Sequence, residues 1–262
     1  MSDAPLLLDA VAEVARVAGD TALRHFRPGI AVETKRDGTP VTAADRAAER
    51  AAREWLRARF PDDGILGEEL GEERPAARRR WVLDPVDGTK TFVRGVPLWG
   101  SLVAVHEGET VLAGAIYCPA VAELVAAAPG AGCWLNGSRC AVSTVSDLAA
   151  AAILTTDEHF TGRPRGADVW SALAARVALS RSWGDCYGYL LVATGRAELM
   201  TDAVLSPWDA APLFPVIAEA GGVCTDWRGV ANPFSGAGVV ATNAALAGEI
   251  RAALRVGNDG RS

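Results

Sequence analysis

The segment Trp81-Val82-Leu83-Asp84-Pro85-Val86-Asp87-Gly88-Thr89 constrains the fold more than any other stretch of this chain. Its apolar residues read as the end of a buried strand. Pro85 has a fixed φ and no backbone N–H, so it cannot continue a central ladder, and the chain must turn directly after Asp84. Asp87 and Gly88 suit that turn, and Thr89 follows with a hydroxyl. Two carboxylates three residues apart around a Pro/Gly turn can face one space, where the Val86 carbonyl can join them. A cluster of hard oxygens of this kind suits Mg²⁺. An Asp-rich turn that merely ends a strand has the same sequence, so the segment alone leaves both readings open.

Other acids fall at similar places. Glu68 and Glu69 follow Gly67, where the apolar run Gly64–Gly67 stops, although with Glu72 and Glu73 they also read as a solvated face beside Arg78–Arg80. Ser206-Pro207-Trp208-Asp209 is the third acidic point, and Ser at N-cap, Pro at N1 and Asp at N3 also make a helix start that needs no metal. The net charge of -6 over 262 residues argues against nucleic acid or an anionic membrane as partner, because both require a positive field. An anionic small ligand is compatible with it only if a carboxylate-held cation reverses the local sign.

Five cysteines without a C-x-x-C pair fit neither a disulfide framework nor a thiolate zinc site, and read as buried reduced thiols. His25, His106 and His159 support neither histidine-rich zinc chemistry nor a Ser-His-Asp triad. Met1–Ala10 lacks a basic n-region, and Val111–Ala128 is broken by Pro119, so neither a signal peptide nor a membrane span is expected. A cytoplasmic location is the default expectation.

Apolar spacing predicts an amphipathic helix over residues 5–26. Thr42 as N-cap and Asp45 at N3 open a second helix to about Phe60. Short strands are predicted at Gly64–Gly67, Trp81–Asp84, Trp99–Val105, Val111–Tyr117 and Ala122–Ala126, so the first half reads as two helices on a largely antiparallel sheet. From Ile153, strands (Ile153–Thr155, Arg181–Trp183, Ala197–Thr201, Val239–Thr242) alternate with helices near Asp168–Leu179, after Tyr187, from Pro207 to Ala220, and at the end to about Leu254. This predicts an α/β half. Pro212 and Pro215 are awkward inside the Pro207 helix. Residues 1–145 are expected to form an α+β half with most metal ligands, and 146–262 an α/β half with specificity residues and the last ligand, in one structural unit.

In combination, G-E-E at Glu69, D-P-V-D-G-T from Asp84, W-D at Asp209 with the following A-A and E-A-G-G, and K-R-D-G-T-P-V-T-A-A-D from Lys35 to Asp45 resemble the inositol monophosphatase family. The resemblance spans essentially the whole chain. It implies a layered αβαβα sandwich of the inositol monophosphatase/fructose-1,6-bisphosphatase type, a homodimer, and hydrolysis of a small phosphate monoester with two or three Mg²⁺ per active site. By that resemblance Glu68, Asp84 and the Val86 carbonyl would hold one ion, and Asp84, Asp87 and Asp209 a second. Gly88 and Thr89 would bind phosphate through backbone N–H groups. Thr89, Asp45 and Glu68 would be catalytic, with the Thr89 hydroxyl and Asp45 orienting the attacking water. Glu69 and Lys35 are possible further participants. D-x-D-x-T phosphatases that form an aspartyl phosphate are the closest mimic, but their acids stand two residues apart.

The runs D-P-V-D-G-T-K-T-F-V-R-G-V-P-L-W and G-D-C-Y-G-Y-L-L-V-A-T-G-R-A-E-L-M are most similar to the histidinol-phosphatase branch of the family. Asp185 stands where many inositol phosphatases have a small uncharged residue, and Asp202 matches an acid that contacts the alcohol. Two carboxylates there suit a cationic leaving group better than a neutral polyol. Phe92, Arg94 and Trp99 are candidates for shaping the pocket, or else Trp99 is a core aromatic and Arg94 a loop charge. The alternatives are inositol-1-phosphate, 3′-phosphoadenosine 5′-phosphate, and a non-catalytic metal- or phosphate-binding regulatory module.

Overall fold

The computed structural model describes residues 3–26, 29, 31–34 and 40–257. Helix α1 (Ala4–Leu23) buries Leu7, Val11, Val14, Ala18 and Ala22 along one face, as their spacing predicts. Strands β1 (Val32–Thr34) and β2 (Pro40–Thr42) form a two-stranded antiparallel ribbon that leads into α2 (Ala43–Arg59). A complete capping box starts α2: the Thr42 hydroxyl accepts from the helix backbone, and Asp45 accepts from the Thr42 N–H.

The next stretch contributes β3 (Gly64–Gly67), β4 (Gly71–Glu73), β5 (Arg79–Asp87), helix α3 (Thr89–Phe92), β6 (Gly100–Glu107), β7 (Thr110–Cys118), β8 (Glu123–Ala128), β9 (Gly132–Leu135) and β10 (Ser138–Arg139). These strands form an eight-stranded sheet in the order β10-β9-β8-β7-β6-β5-β3-β4. It is antiparallel except for β3 and β5, whose parallel register pairs Gly67 with Leu83. That exception positions the site, because the parallel ladder ends at this pair and Glu68 and Asp84 are each the next residue. Val111–Ala128 is β7, a short turn at Pro119 and β8. Among the described residues no helix is long and apolar enough to cross a membrane.

The remaining elements are β11 (Ala152–Thr155), α4 (Gly166–Ala174), β12 (Leu179–Arg181), α5 (Asp185–Ala193), β13 (Leu199–Asp202), α6 (Pro207–Ala210), α7 (Leu213–Glu219), β14 (Val223–Thr225), β15 (Val239–Thr242) and α8 (Ala247–Leu254). The five strands form a mixed sheet, β12-β11-β13-β15-β14. Alternation of side chains across the two sheets defines the layers. Trp81, Leu83, Val103, Val105 and Ala115 face α1 and α2, while Leu102, Ile116, Val125 and Ala127 face α5 and α7. Leu154, Met200 and Ala241 close that middle layer from the second sheet, whose far face packs Ile153, Leu199 and Val240 against α4 and α8. The result is the five-layer αβαβα sandwich.

The continuous helix expected from Pro207 to Ala220 is two helices, α6 and α7. Pro212 caps α7 and Pro215 occupies its first turn, where N–H groups have no intrahelical acceptor, so neither proline breaks a bond. Gly221, at φ +85°, then ends α7 in a Schellman motif: Gly222 N–H donates to Ile217 O at 2.9 Å and Gly221 N–H to Ala218 O at 3.0 Å. The predicted helix Asp168–Leu179 stops at Ala174, and the strand expected at Arg181–Trp183 is Leu179–Arg181. The five cysteines are free thiols, four of them buried and Cys140 half-buried.

Candidate active site

Between the two sheets lies a cavity of about 410 Å³, lined among others by Glu68, Asp84, Val86, Asp87, Gly88, Thr89, Asp185, Asp202 and Asp209. Strand β5 delivers Asp84, but it does not end there as the sequence reading expects: Pro85 interrupts the pairing with β6 as a bulge, the strand resumes to Asp87, and the turn comes at Gly88. The freed Pro85 carbonyl accepts the Ser101 hydroxyl at 2.6 Å, and the Val86 N–H folds back onto Asp84 Oδ1 at 2.9 Å. Asp209 reaches the same point from the first turn of α6, with its Oδ2 accepting the Ser206 N–H at 2.9 Å. The helix-start and metal-ligand readings of Asp209 are thus compatible, because one oxygen caps the helix and the other is left for the cluster. Carboxylate oxygens of Asp84, Asp87 and Asp209 lie within 4.8 Å of one another.

Burial and mutual repulsion weigh on this cluster. Desolvation, then the charges of Glu68, Asp87 and Asp209, push the Asp84 carboxyl well above the usual range. Desolvation raises Asp87 in the same way, helped by Asp185 and Asp209, and takes Asp209 up to about 7. Against this, the first turn of α5 offers Asp87 Oδ2 the Cys186 N–H at 2.5 Å. An all-oxygen set whose members repel one another is the donor chemistry of a hard divalent cation, so the residues fit such an ion.

Thr89 Oγ1 stands 3.1 Å from the Val86 carbonyl and 3.4 Å from Asp45 Oδ1. The other oxygen of Asp45 accepts from the Thr42 N–H at 2.9 Å and the Thr42 hydroxyl at 2.5 Å. Burial raises the Asp45 carboxyl, while the Thr42 contacts pull it down. Opposite, Asp185 begins α5 at φ +50°. Its Oδ2 accepts the Thr91 hydroxyl at 3.1 Å and its N–H donates to Thr156 Oγ1 at 2.7 Å. Gly88, at φ +83°, leaves room for it, since a Cβ there would stand 2.9 Å from Asp185 Oδ2. Asp202 accepts the Thr156 N–H and the Tyr189 hydroxyl, each at 3.0 Å, and burial lifts its carboxyl to about 6.

Glu68, Asp84, Val86, Asp87, Gly88, Thr89, Asp185, Asp202 and Asp209 all line the cavity, and Asp45 touches it through Thr89. Lys35 lies outside the described residues. Arg94 is exposed, donates to Lys90 O at 2.8 Å, and is not part of the lining. Glu69 also stands outside it, with its N–H on Glu49 Oε2 at 2.7 Å. Phe92 and Trp99 are core aromatics that pack on each other with ring centroids 4.7 Å apart. Sequence reasoning missed Glu49, whose only signal is a charge on the apolar face of α2, four residues from both Asp45 and Arg53. It also missed Lys90, Thr156, Asp157 and Tyr189, which reach the cavity through tertiary contacts with no local signature.

The sequence profile of the inositol monophosphatase family matches residues 5–257. The chain is 41% identical to a histidinol-phosphatase of Chlorobaculum parvum over 97% of this chain and 98% of the relative. To the histidinol-phosphatase of Mycobacterium tuberculosis it is 38% identical, over 98% and 100%. An inositol monophosphatase structure from Zymomonas mobilis superposes with a TM-score of 0.85 at 31% identity, over 97% of this chain and all of that one. The extragenic suppressor protein SuhB of Bartonella henselae superposes at 0.89 with 29% identity, over 98% and 100%. Matched almost from end to end in both sequence and fold, the chain belongs to the inositol monophosphatase family of phosphoric monoester hydrolases.

Proposed function

We propose that this chain is a Mg²⁺-dependent histidinol-phosphate phosphatase that works by direct attack of water on phosphorus. The observation that carries this reading is the pairing, across one cavity, of the Asp84/Asp87/Asp209 cluster with a second group of acids around Asp185. Glu68, Asp84, the Val86 carbonyl, Asp87 and Asp209 would hold the cations. When bound, Mg²⁺ reverses the negative field, activates water and stabilises charge on the leaving oxygen.

The chain's own groups do the rest. Gly88 and Thr89 present the turn that receives the phosphate. Thr89 Oγ1 stands between the Val86 carbonyl and Asp45 Oδ1; with that carbonyl committed to a cation, the Thr89 hydroxyl would give its proton to Asp45 as its oxygen takes one from the attacking water. At the alcohol end, Asp202 holds Thr156 and Thr156 holds the backbone of Asp185, so Asp185 is fixed in place; burial raises its carboxyl, while the Thr91 hydroxyl and the Lys90 charge favour its anion. Asp157 adds a second negative charge, since contacts from Thr161 and His159 hold its carboxyl below the usual range. Histidinol carries an amine and an imidazole, and both match this wall in charge; a neutral polyol can only donate hydroxyl hydrogen bonds to it.

The test is a panel of phosphate monoesters assayed with Mg²⁺. A kcat/KM for histidinol phosphate at least tenfold above that for inositol 1-phosphate is expected, and equal values would overturn the substrate assignment. Single-turnover hydrolysis in H₂¹⁸O should place the label in phosphate; label in the alcohol would exclude attack at phosphorus.

A further inference from the structure

We propose that Glu49 is a positioning residue: from the middle of α2, its carboxylate fixes the turn after β3 and so aims Glu68 into the cation site. This rests on the assignment of Glu68 as a cation ligand made above. Glu49 is fully buried on a helix face that is otherwise mostly alanine and leucine, a costly place for a carboxylate. Arg53 Nε donates to its Oε1 at 2.8 Å. Such a pair contributes little net stability compared with apolar residues of the same size, so its use must lie in what else it holds.

Its other partners belong to the turn. Glu49 Oε2 accepts the Glu69 N–H at 2.7 Å, and Oε1 accepts the Leu70 N–H at 3.2 Å. The carboxylate reaches them only because residue 67 is glycine, where a Cβ would lie 2.0 Å from Oε1. On the opposite side, the Glu68 N–H donates to Leu83 O at 3.1 Å. The two amides flanking the Glu68 side chain are thus tied in different directions, one to β5 and one to α2. Arg53 closes the far end of the same turn on the Gly71 carbonyl and reaches Glu73 at 3.5 Å. One helical turn earlier, Asp45 meets Thr89. A single rigid helix therefore sets the position of both the Glu68 turn and the Thr89 turn, so the spacing of cation ligand and attacking water does not depend on loop geometry.

The test uses metal-free protein titrated with Mn²⁺ as probe, with free Mn²⁺ read by electron paramagnetic resonance, on the wild type, Glu68→Gln, Glu49→Gln and Gly67→Ala. Glu49→Gln keeps the shape but replaces one acceptor by a donor facing an N–H. Gly67→Ala displaces the same carboxylate from the other side. Each should weaken Mn²⁺ binding about 10- to 100-fold, the usual effect of losing a group that orients a ligand. With saturating Mg²⁺ the substrate KM should stay at the wild-type value. A merely structural Glu49 would lower Tm and leave the Mn²⁺ affinity of the folded protein unchanged; that result overturns the proposal. Should Glu49→Gln not fold, Gly67→Ala decides by the same criterion. Wild type that binds no Mn²⁺, or Glu68→Gln that binds it normally, would instead remove the ligand assignment beneath it.

Discussion

On the wall of the cavity that carries the proposed ligands Glu68, Asp84, Asp87 and Asp209, each stands at the end of a strand, at the bulge within β5 or in the first turn of a helix, within a few residues of a proline or glycine. The opposite wall is assembled differently. Asp202, Thr156 and Asp185 form a chain of contacts between residues 46 and 29 positions apart, and each link is a single hydrogen bond. The first wall is fixed by backbone geometry that the local sequence imposes. The second is fixed by side chains meeting across the fold, so single substitutions should retune it without destroying it.

The largest effect should come from the first wall. Asp84→Asn keeps the acceptor for the Val86 N–H but removes a charge from the cluster. Hydrolysis with Mg²⁺ should fall about 10³-fold or more, since a bound ion supplies several kcal/mol of charge stabilisation. The metal-free protein at pH 8 should be no less stable than wild type, because one of several repelling buried carboxylates has gone. Activity within tenfold of wild type in steady-state assays would show that Asp84 is not a ligand.

On the second wall, Asp185→Asn should cost histidinol phosphate about 2 kcal/mol of transition-state binding, about 30-fold in kcat/KM, because a cationic group then faces an amide. Inositol 1-phosphate should change little. An equal loss for both substrates would mean that Asp185 serves the phosphate turn and not the alcohol, erasing the distinction between the walls. Gly88 is where they touch. Gly88→Ala places a side chain at φ +83° and 2.9 Å from Asp185 Oδ2, and the conformation alone costs about 1–2 kcal/mol. A kcat loss of about tenfold is expected, partly relieved in an Asp185→Ala background, where only the conformational part remains. Full additivity of the two changes in kcat would refute the contact.

The same contrast explains what was legible beforehand. Pro85 interrupts its ladder, Gly88 turns the chain and the Ser206-Pro207 pair starts a helix whatever surrounds them, so Asp84, Asp87 and Asp209 could be placed from their own neighbours, as could the Thr42–Asp45 capping box. The parallel pairing of β3 with β5 could not, because β3 is a four-residue run with no pattern distinguishing parallel from antiparallel partners. That pairing sets Glu68 beside Asp84. Glu49 was hidden for a related reason: a buried charge among alanines announces a partner, but not that the partner is a backbone turn 20 residues away. The Pro207–Ala220 stretch misled in the opposite direction. Its helical periodicity is real on both sides of Pro212, but periodicity does not record a break between two helices that share a buried face.

The smallest predicted effect is on stability, and its sign separates the walls from the rest of the protein. Asp209 titrates near 3.8 when unfolded and at about 7 when folded, and Asp202 at about 6. Between those values the folded chain binds more protons than the unfolded one, so these groups lower stability as pH rises from about 4 to about 7. Asp84 and Asp87 act in the same direction. Burial lowers the His106 pKa, so His106 acts oppositely below its unfolded value of 6.5. The Tm of chelated protein should therefore fall between pH 6.5 and 8, and Asp209→Asn should flatten that slope. Mg²⁺ needs the carboxylates ionised, so it should raise Tm more at pH 8 than at pH 6.5. A chelated Tm that is level across this range, with an Asp209→Asn slope identical to wild type, would mean that the acids of this cavity titrate as exposed carboxylates do and that the cation wall is not preassembled before the ion arrives.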